Sequence, residues 1–292
     1  MEDKQTWTPL KIVQWAVPFL AQKGLPNPKL DAEILVAHAL QIDRLKVYLQ
    51  FDRPLDPEEL SLIRGLFQRR SRHEPIQYIT GKREFYGHSF SVAPGVLIPR
   101  PETELLVEKA LDHLKDVPEE KRHVLDLGTG SGCIAISIAK AVSAKVWAVD
   151  ISAKALEQAV NNAENLGIST IQWRQGSWFE ALQPNDPYQF QVVVSNPPYI
   201  PLEEKDSLAP EVREYEPFEA LFAENAGLKP YEEIALNLEK HLVLGGLALF
   251  ELHANSYDKV SGLFKSTDYH LRLHQDLQGL PRVLALEKAQ KS

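Results

Sequence analysis

The chain has 292 residues, 44% of them hydrophobic and 25% charged, with a net charge of -8 at neutral pH. That length exceeds one average domain and suits a small domain joined to a full α/β domain. A single cysteine excludes a disulfide framework or a cysteine-rich zinc site; no apolar run reaches the roughly 18 residues of a membrane span, and Met1-Glu2-Asp3-Lys4-Gln5-Thr6-Trp7 lacks a signal-peptide pattern, so the cytoplasm is the expected compartment.

Residues 8 to about 72 carry helical periodicity broken by Pro and Gly stops, with Leu10, Val13, Val17 and Leu20 before Gly24, then Ile34, Leu35, His38 and Ala39. Asp56-Pro57-Glu58-Glu59 supplies an N-cap, a proline at the first helical position and first-turn acids ahead of Leu60, Ile63, Leu66 and Phe67. Four or five helices are therefore predicted over residues 1–73, with His38 in their core. Arg64, Arg69, Arg70 and Arg72 gather at a helix end, where positive charge complements the helix dipole. Residues 74–100 read as a linker, and the alternation of residues 84–92 about Gly87 predicts a short hairpin. Pro101, Glu102 and Glu104 then open a helix carrying Leu105, Leu106, Ala110, Leu111 and Leu114 at the head of a second domain, residues 101–292. Residues 117–122 read as a solvated loop.

Val124-Leu125-Asp126-Leu127 is an apolar strand running into Gly128-Thr129-Gly130-Ser131-Gly132 and an apolar helix from Cys133. This is the first strand-turn-helix of a doubly wound α/β fold, where cofactors bind. A dinucleotide fingerprint needs G-x-G-x-x-G, and Cys133 stands where the third glycine belongs, which argues against NAD. The spacing is similar to the G-x-G-x-G turn of S-adenosylmethionine methyltransferases. Cys133 itself reads as core packing rather than a nucleophile. The next strand, residues 145–150, ends in Asp150, 22 positions after Gly128, the register of a carboxylate that takes both ribose hydroxyls of an adenosyl group. A third strand, residues 170–175, leads to Gly176-Ser177-Trp178-Phe179, with Trp178 as the expected adenine contact and Ser177 where many methyltransferases carry an acid.

The buried strand Phe190-Gln191-Val192-Val193-Val194-Ser195 runs into Asn196-Pro197-Pro198-Tyr199. An amide or exocyclic amine is a poor nucleophile because its lone pair is delocalised, so an enzyme must hold both N–H bonds and aim that pair. The Asn196 side-chain oxygen and the Pro197 carbonyl are two acceptors for that task. Successive prolines stiffen the corner and remove backbone donors, and Tyr199 offers a stacking face. Residues 201–227 read as an ordered flap beside the site. A helix over 231–242, a Gly245-Gly246 turn, and strands at 247–252, 270–276 and 283–287 complete an open sheet of seven. His270 and His274 lie too far apart along a strand to share an ion, so no metal is expected.

Residues 74–81, Leu97-Ile98-Pro99-Arg100-Pro101-Glu102-Thr103-Glu104, the glycine turn and Asn196-Pro197-Pro198-Tyr199-Ile200 together closely resemble the peptide-chain release factor glutamine N5-methyltransferases, the HemK/PrmC type. The Asn-Pro-Pro-Tyr corner alone is shared with DNA adenine and some ribosomal guanine methyltransferases. The resemblance implies a class I methyltransferase, Rossmann-like with a seven-stranded, mostly parallel sheet, behind an N-terminal all-α domain. It implies methyl transfer from S-adenosylmethionine, leaving S-adenosylhomocysteine, to the glutamine amide of the Gly-Gly-Gln motif in class I release factors. By the same resemblance the cofactor lies at Gly128, Thr129, Gly130, Ser131, Gly132, Asp150, Trp178 and Asn196. Asn196, Pro197, Pro198 and Tyr199 grip the glutamine, with Asn196, Pro197 and Tyr199 as the catalytic set, while the helical domain holds the body of the factor. Two departures stand out: residues 251–255 lack a glycine common there, and Ser177 replaces the acid. Neither is expected to touch the methyl-transfer corner.

The chemistry expected is an in-line displacement from a sulfonium, with alignment as the enzyme's main contribution and no base needed before attack. The alternative is the same transfer to adenine N6 or guanine N2 of nucleic acid. Residues 1–90 carry 13 Lys+Arg against 11 Asp+Glu, and residues 91–292 carry 19 against 29, so the catalytic half is a poor match for a phosphate backbone. A non-catalytic adaptor is disfavoured by the intact turn, Asp150 and Asn196. A monomer with a protein substrate and no direct nucleic-acid or membrane partner is the expectation.

Overall fold

The computed structural model describes residues 6–265 and 268–289, and the chain divides into two units. One comprises Met1–Gly81 with Ala209–Tyr215, the other Lys82–Leu208 with Glu216–Ser292.

The first unit holds helices Pro9–Gln22, Pro28–Ala39, Arg44–Leu49, Pro57–Arg70 and Ile76–Thr80. Their starts are written locally: Thr8 accepts from the Lys11 amide, and Asp56 and Glu59 form a reciprocal capping box. Ala16, Leu20, Leu35, Val36, Val47, Ile63 and Phe67 make the core. The helical packing continues beyond residue 73, because Ile79 enters this core before a left-handed Gly81 ends the last helix. Arg69 and Arg70 stand in the last turn of helix Pro57–Arg70, where the helix dipole favours positive charge, but Arg70 is an interior group while Arg64, Arg69 and Arg72 are exposed. Arg70 is only 3% exposed and donates to Asp31 Oδ2 at 2.7 Å, Glu74 O at 2.9 Å and Glu211 Oε2 at 2.8 Å. Tyr215 donates its hydroxyl to Arg72 O, so the short helix Pro210–Tyr215 is fastened to this unit at both ends.

The second unit opens with the hairpin Lys82–Phe85 and His88–Ser91. Tyr86 and Gly87 both take positive φ, 47° and 72°, the two-residue turn whose twist suits a hairpin. The central sheet has strands β1 His123–Leu127, β2 Lys145–Asp150, β3 Gln172–Gln175, β4 Phe190–Ser195, β5 Leu242–Glu251, β6 Tyr269–Gln275 and β7 Pro281–Lys288. Their order is β3-β2-β1-β4-β5-β7-β6, parallel except for β7, which runs antiparallel to both neighbours. This is the class I methyltransferase sheet expected from the sequence. β3 is shorter than expected at its start. β5 begins earlier, at Leu242, with Gly245 and Gly246 inside it, because the β4 register jumps from Phe190 opposite Leu242 to Val192 opposite Leu247 and absorbs the glycines as an irregularity.

Register decides what meets at the carboxyl edge. Leu127 pairs with Ser195, and Ser195 with Phe250, so Gly128, Asn196 and Glu251 leave three adjacent strands side by side. Residues 200–223 are ordered: Ile200–Pro201 pairs with Phe222–Ala223, and 3-10 turn Leu202–Ser207 and helices Pro210–Tyr215 and Phe218–Leu221 lie between. Among the described residues no helix is long and apolar enough to cross a membrane, and no three His, Cys, Asp or Glu side chains cluster as metal ligands.

Candidate active site

The glycine turn is bound to the end of β2 by its own backbone. Gly128 N and Thr129 N both donate to Val149 O at 2.9 Å, and Gly130 N donates to Asp150 Oδ2 at 2.8 Å. Ser152 N donates to the other oxygen, Asp150 Oδ1, at 2.9 Å. Burial raises the Asp150 carboxyl above the usual range, and these amides oppose that shift. Each oxygen keeps a further lone pair, so the carboxylate is aimed and still able to accept two hydroxyls. Gly128 has φ of 74°, and a Cβ there would lie 3.7 Å from the Trp178 ring and 4.0 Å from Asn196 O. Its bare backbone therefore borders a space walled by the indole and by the first carbonyl of the corner. Glu233 fixes that indole by accepting from Trp178 Nε1 at 2.7 Å.

Beneath the turn lies an acid that sequence reasoning left without a role. Asp126 is fully buried; its Oδ2 accepts from Thr129 Oγ1 at 2.6 Å and Ala135 N at 3.2 Å, while Oδ1 has no partner. Burial pushes its carboxyl up to about 7. Glycines open to a ligand, the aimed Asp150 carboxylate and a flat indole suit a cofactor with vicinal hydroxyls and a planar base, both of which S-adenosylmethionine carries.

At the corner, Asn196 and Tyr199 are half-buried and Pro197 is buried. Asn196 Nδ2 donates to Thr103 Oγ1 at 3.2 Å, and Thr103 Oγ1 donates to Glu251 Oε2 at 2.6 Å. Tyr199 donates its hydroxyl to Glu251 Oε1 at 3.2 Å, and Tyr231 donates to Glu251 O at 2.6 Å. Burial pushes the Glu251 carboxyl up to about 7 against these hydroxyl donors, and raises the Tyr199 phenol with help from Glu251. The Tyr199 and His253 rings are tilted neighbours, 6.1 Å apart.

The expectation that residues 251–255 stay clear of this corner is therefore corrected. The Ser195 to Phe250 register sets Glu251 abreast of Asn196, and His253 follows onto the Tyr199 ring. Thr103 lies in the Leu97–Glu104 segment, and nothing in the sequence gives it a partner. It is brought under Asn196 by a turn at Pro101–Thr103, next to Arg100 and Ile98, which both donate to the buried Glu216. An acid at a strand's carboxyl end was the available signal for Glu251, as it was for Asp150.

Residues 11–81 match the family model of the PrmC N-terminal domain, and residues 101–211 that of the methyltransferase small domain. The chain is 42% identical over 285 residues to the release factor glutamine methyltransferase of Geobacter sulfurreducens, covering 97% of this chain and 98% of that protein. It is 39% identical over 291 residues to the release factor glutamine methyltransferase of Chlorobaculum tepidum, covering 98% and 99%. Among solved structures, the N-terminal domain of human METTL16 is similar in fold, with a TM-score of 0.53 at 17% identity over 80% of this chain and 83% of that one.

Proposed function

Because the chain belongs to the release factor glutamine methyltransferase family, we propose that its Asn-Pro-Pro-Tyr corner grips the side-chain amide of a release-factor glutamine beside S-adenosylmethionine held at the glycine turn. The enzyme is an S-adenosylmethionine-dependent protein-glutamine N5-methyltransferase, and the acceptor we infer is the glutamine of the Gly-Gly-Gln motif in class I release factors. The observation that carries the site assignment is the register that sets the glycine turn and Asn196 abreast at one sheet edge, with Asp150 bonded to that turn.

Bound S-adenosylmethionine supplies a methyl group already activated by a sulfonium. Asp150 takes the ribose hydroxyls, residues Gly128, Thr129, Gly130, Ser131 and Gly132 enclose the amino-acid end, and Trp178 meets the adenine. Asn196 Oδ1 and Pro197 O accept the two amide protons of the glutamine, which favours a pyramidal nitrogen and stabilises the positive charge that develops on it. Pro197 and Pro198 keep these acceptors in place, so little orientational freedom is left to lose on the way to reaction. Tyr199 covers the planar amide. No base is required before attack, and the proton leaves to water afterwards. The helical unit holds the body of the factor, and the enzyme acts in the cytoplasm as a monomer.

Methyl transfer from labelled S-adenosylmethionine tests this, offering an intact class I release factor, the same factor with its Gly-Gly-Gln glutamine changed to alanine, bulk DNA and rRNA. Label on the intact factor alone is expected. Label on nucleic acid would keep the corner and overturn the acceptor.

A further inference from the structure

We propose that Glu251 is a positioning residue whose carboxylate, acting through the Thr103 hydroxyl, decides which face of the Asn196 amide meets the substrate, and through the Tyr199 hydroxyl holds the ring beside it. This rests on reading the corner as a glutamine grip. An asparagine amide has two orientations of almost the same shape, with oxygen and nitrogen exchanged, and only one of them serves here. The glutamine NH2 has two protons to give, so it needs an oxygen opposite; a second NH2 in that place would repel it.

Proline stiffness cannot make that choice, because it leaves the Asn196 side chain free to turn. A chain of hydrogen bonds with a fixed direction can. An ionised carboxylate only accepts, so the single Thr103 proton must go to Glu251 Oε2, 2.6 Å away. The Thr103 oxygen is then left as an acceptor, and it takes Asn196 Nδ2 at 3.2 Å. With nitrogen committed there, Oδ1 is turned away from Thr103 and serves the substrate. The other carboxylate oxygen takes the Tyr199 hydroxyl. One side chain, in a residue 2% exposed, thus orders two members of the corner. Its own place is set by strand pairing, with Val283 opposite it on β7 and Phe250 before it opposite Ser195.

A protonated Glu251 would be able to donate, freeing the Thr103 proton to point at Asn196 and favour the reversed amide. Burial and Glu102 favour that neutral form; Thr103, Tyr199 and Arg282 on β7 favour the ionised one. The remaining titratable groups that sense Glu251 are Tyr231, on helix Lys229–His241, and Cys133, at the head of helix Cys133–Ala141.

Thr103→Val, Thr103→Ser and Glu251→Gln, assayed by single-turnover transfer to an intact class I release factor between about pH 6 and pH 9, test this. Affinity for S-adenosylmethionine and the urea unfolding midpoint are read on the same preparations. Thr103→Val is expected to slow transfer about 10- to 100-fold, the worth of one misdirected buried hydrogen bond, with cofactor affinity retained. Thr103→Ser is expected to restore the rate. Glu251→Gln, whose amide can donate or accept, should be slow and lose the acid limb of the wild-type profile. Equal rates for the valine variant and wild type overturn the inference, as do equal losses in the valine and serine variants. A wild-type enzyme inert toward the factor overturns the functional reading instead, and that result is seen before any variant is compared.

Discussion

Replacing Arg70 with methionine should cost about 3–5 kcal/mol of stability, and replacing Asp31 with leucine in the same protein should return most of it. The magnitude follows from what the guanidinium leaves behind. Asp31 is 4% exposed and cannot turn to water, so it carries most of the loss. Its carboxyl is already raised by burial despite the pull of Arg70. Glu211 has a side chain 33% exposed and can rehydrate, which holds its share to about 1 kcal/mol or less. Glu74 O loses a bond worth about 1 kcal/mol. Against a typical total of roughly 5–15 kcal/mol the single variant is badly weakened. Methionine keeps the stem's volume, and a leucine opposite it turns a broken ion pair into an apolar contact. Urea unfolding followed by circular dichroism and by the fluorescence of Trp7 and Trp15 measures both steps. A single variant within about 1 kcal/mol of wild type, or a double variant no more stable than the single, would refute the reasoning.

Gly132→Ala should lower both stability and cofactor affinity. Gly132 has φ of 80°, and a Cβ there would lie 2.9 Å from Ile136 Cδ1 and 3.0 Å from Ala159 Cβ, so backbone strain of about 1–2 kcal/mol and crowding of about 1–3 kcal/mol add. Calorimetric titration with S-adenosylmethionine checks this, and an unchanged affinity would separate the turn from binding. Burial pushes the Cys133 thiol up to about 12, so iodoacetamide at about pH 8 should leave the folded protein untouched and label it in urea; rapid labelling of the native state, read by mass, would contradict the burial. For Glu251 the folded value of about 7 lies above the ordinary 4.5, so its contribution to stability is complete below about pH 4.5 and is lost as pH rises through about 7. Glu251→Gln should flatten that part of the wild-type stability profile, and an unaltered slope would argue against the raised carboxyl.

The sheet was legible because its signals are local. The glycine turn, the acid at Asp150 and the Val-rich strand before Asn196 each announce themselves within a few residues, and their order along the chain implies the doubly wound topology. Non-local pairings were not legible. Arg70 has carboxylate partners 39 and 141 positions away, so four arginines near a helix end read alike as helix-terminal charge until the fold brings Asp31 and Glu211 to one of them. Glu251 gains its place only when β5 lies beside β4 in the right register, and Thr103 only when the turn after Arg100 comes beneath Asn196. Gly245-Gly246 reads as a turn because glycines usually break strands; in the fold the pair falls in the unpaired step between Leu242, opposite Phe190, and Leu247, opposite Val192, and the strand runs on across it.

The membership of Ala209–Tyr215 in the helical unit bears on how such a chain can be inherited. The polypeptide passes between the two units after Gly81, after Leu208 and after Tyr215, so the N-terminal 81 residues are not a cassette. Excised at Gly81, the bundle would surrender Glu211 as a partner of its interior arginine and the Tyr215 hydroxyl from the Arg72 carbonyl. Recombination that exchanged N-terminal units between relatives would have to carry the distant stretch as well. Two separated parts of the gene are thereby tied to a shared history, and chimeras joined at Gly81 should inherit a mismatched helix Pro210–Tyr215 rather than an intact helical unit.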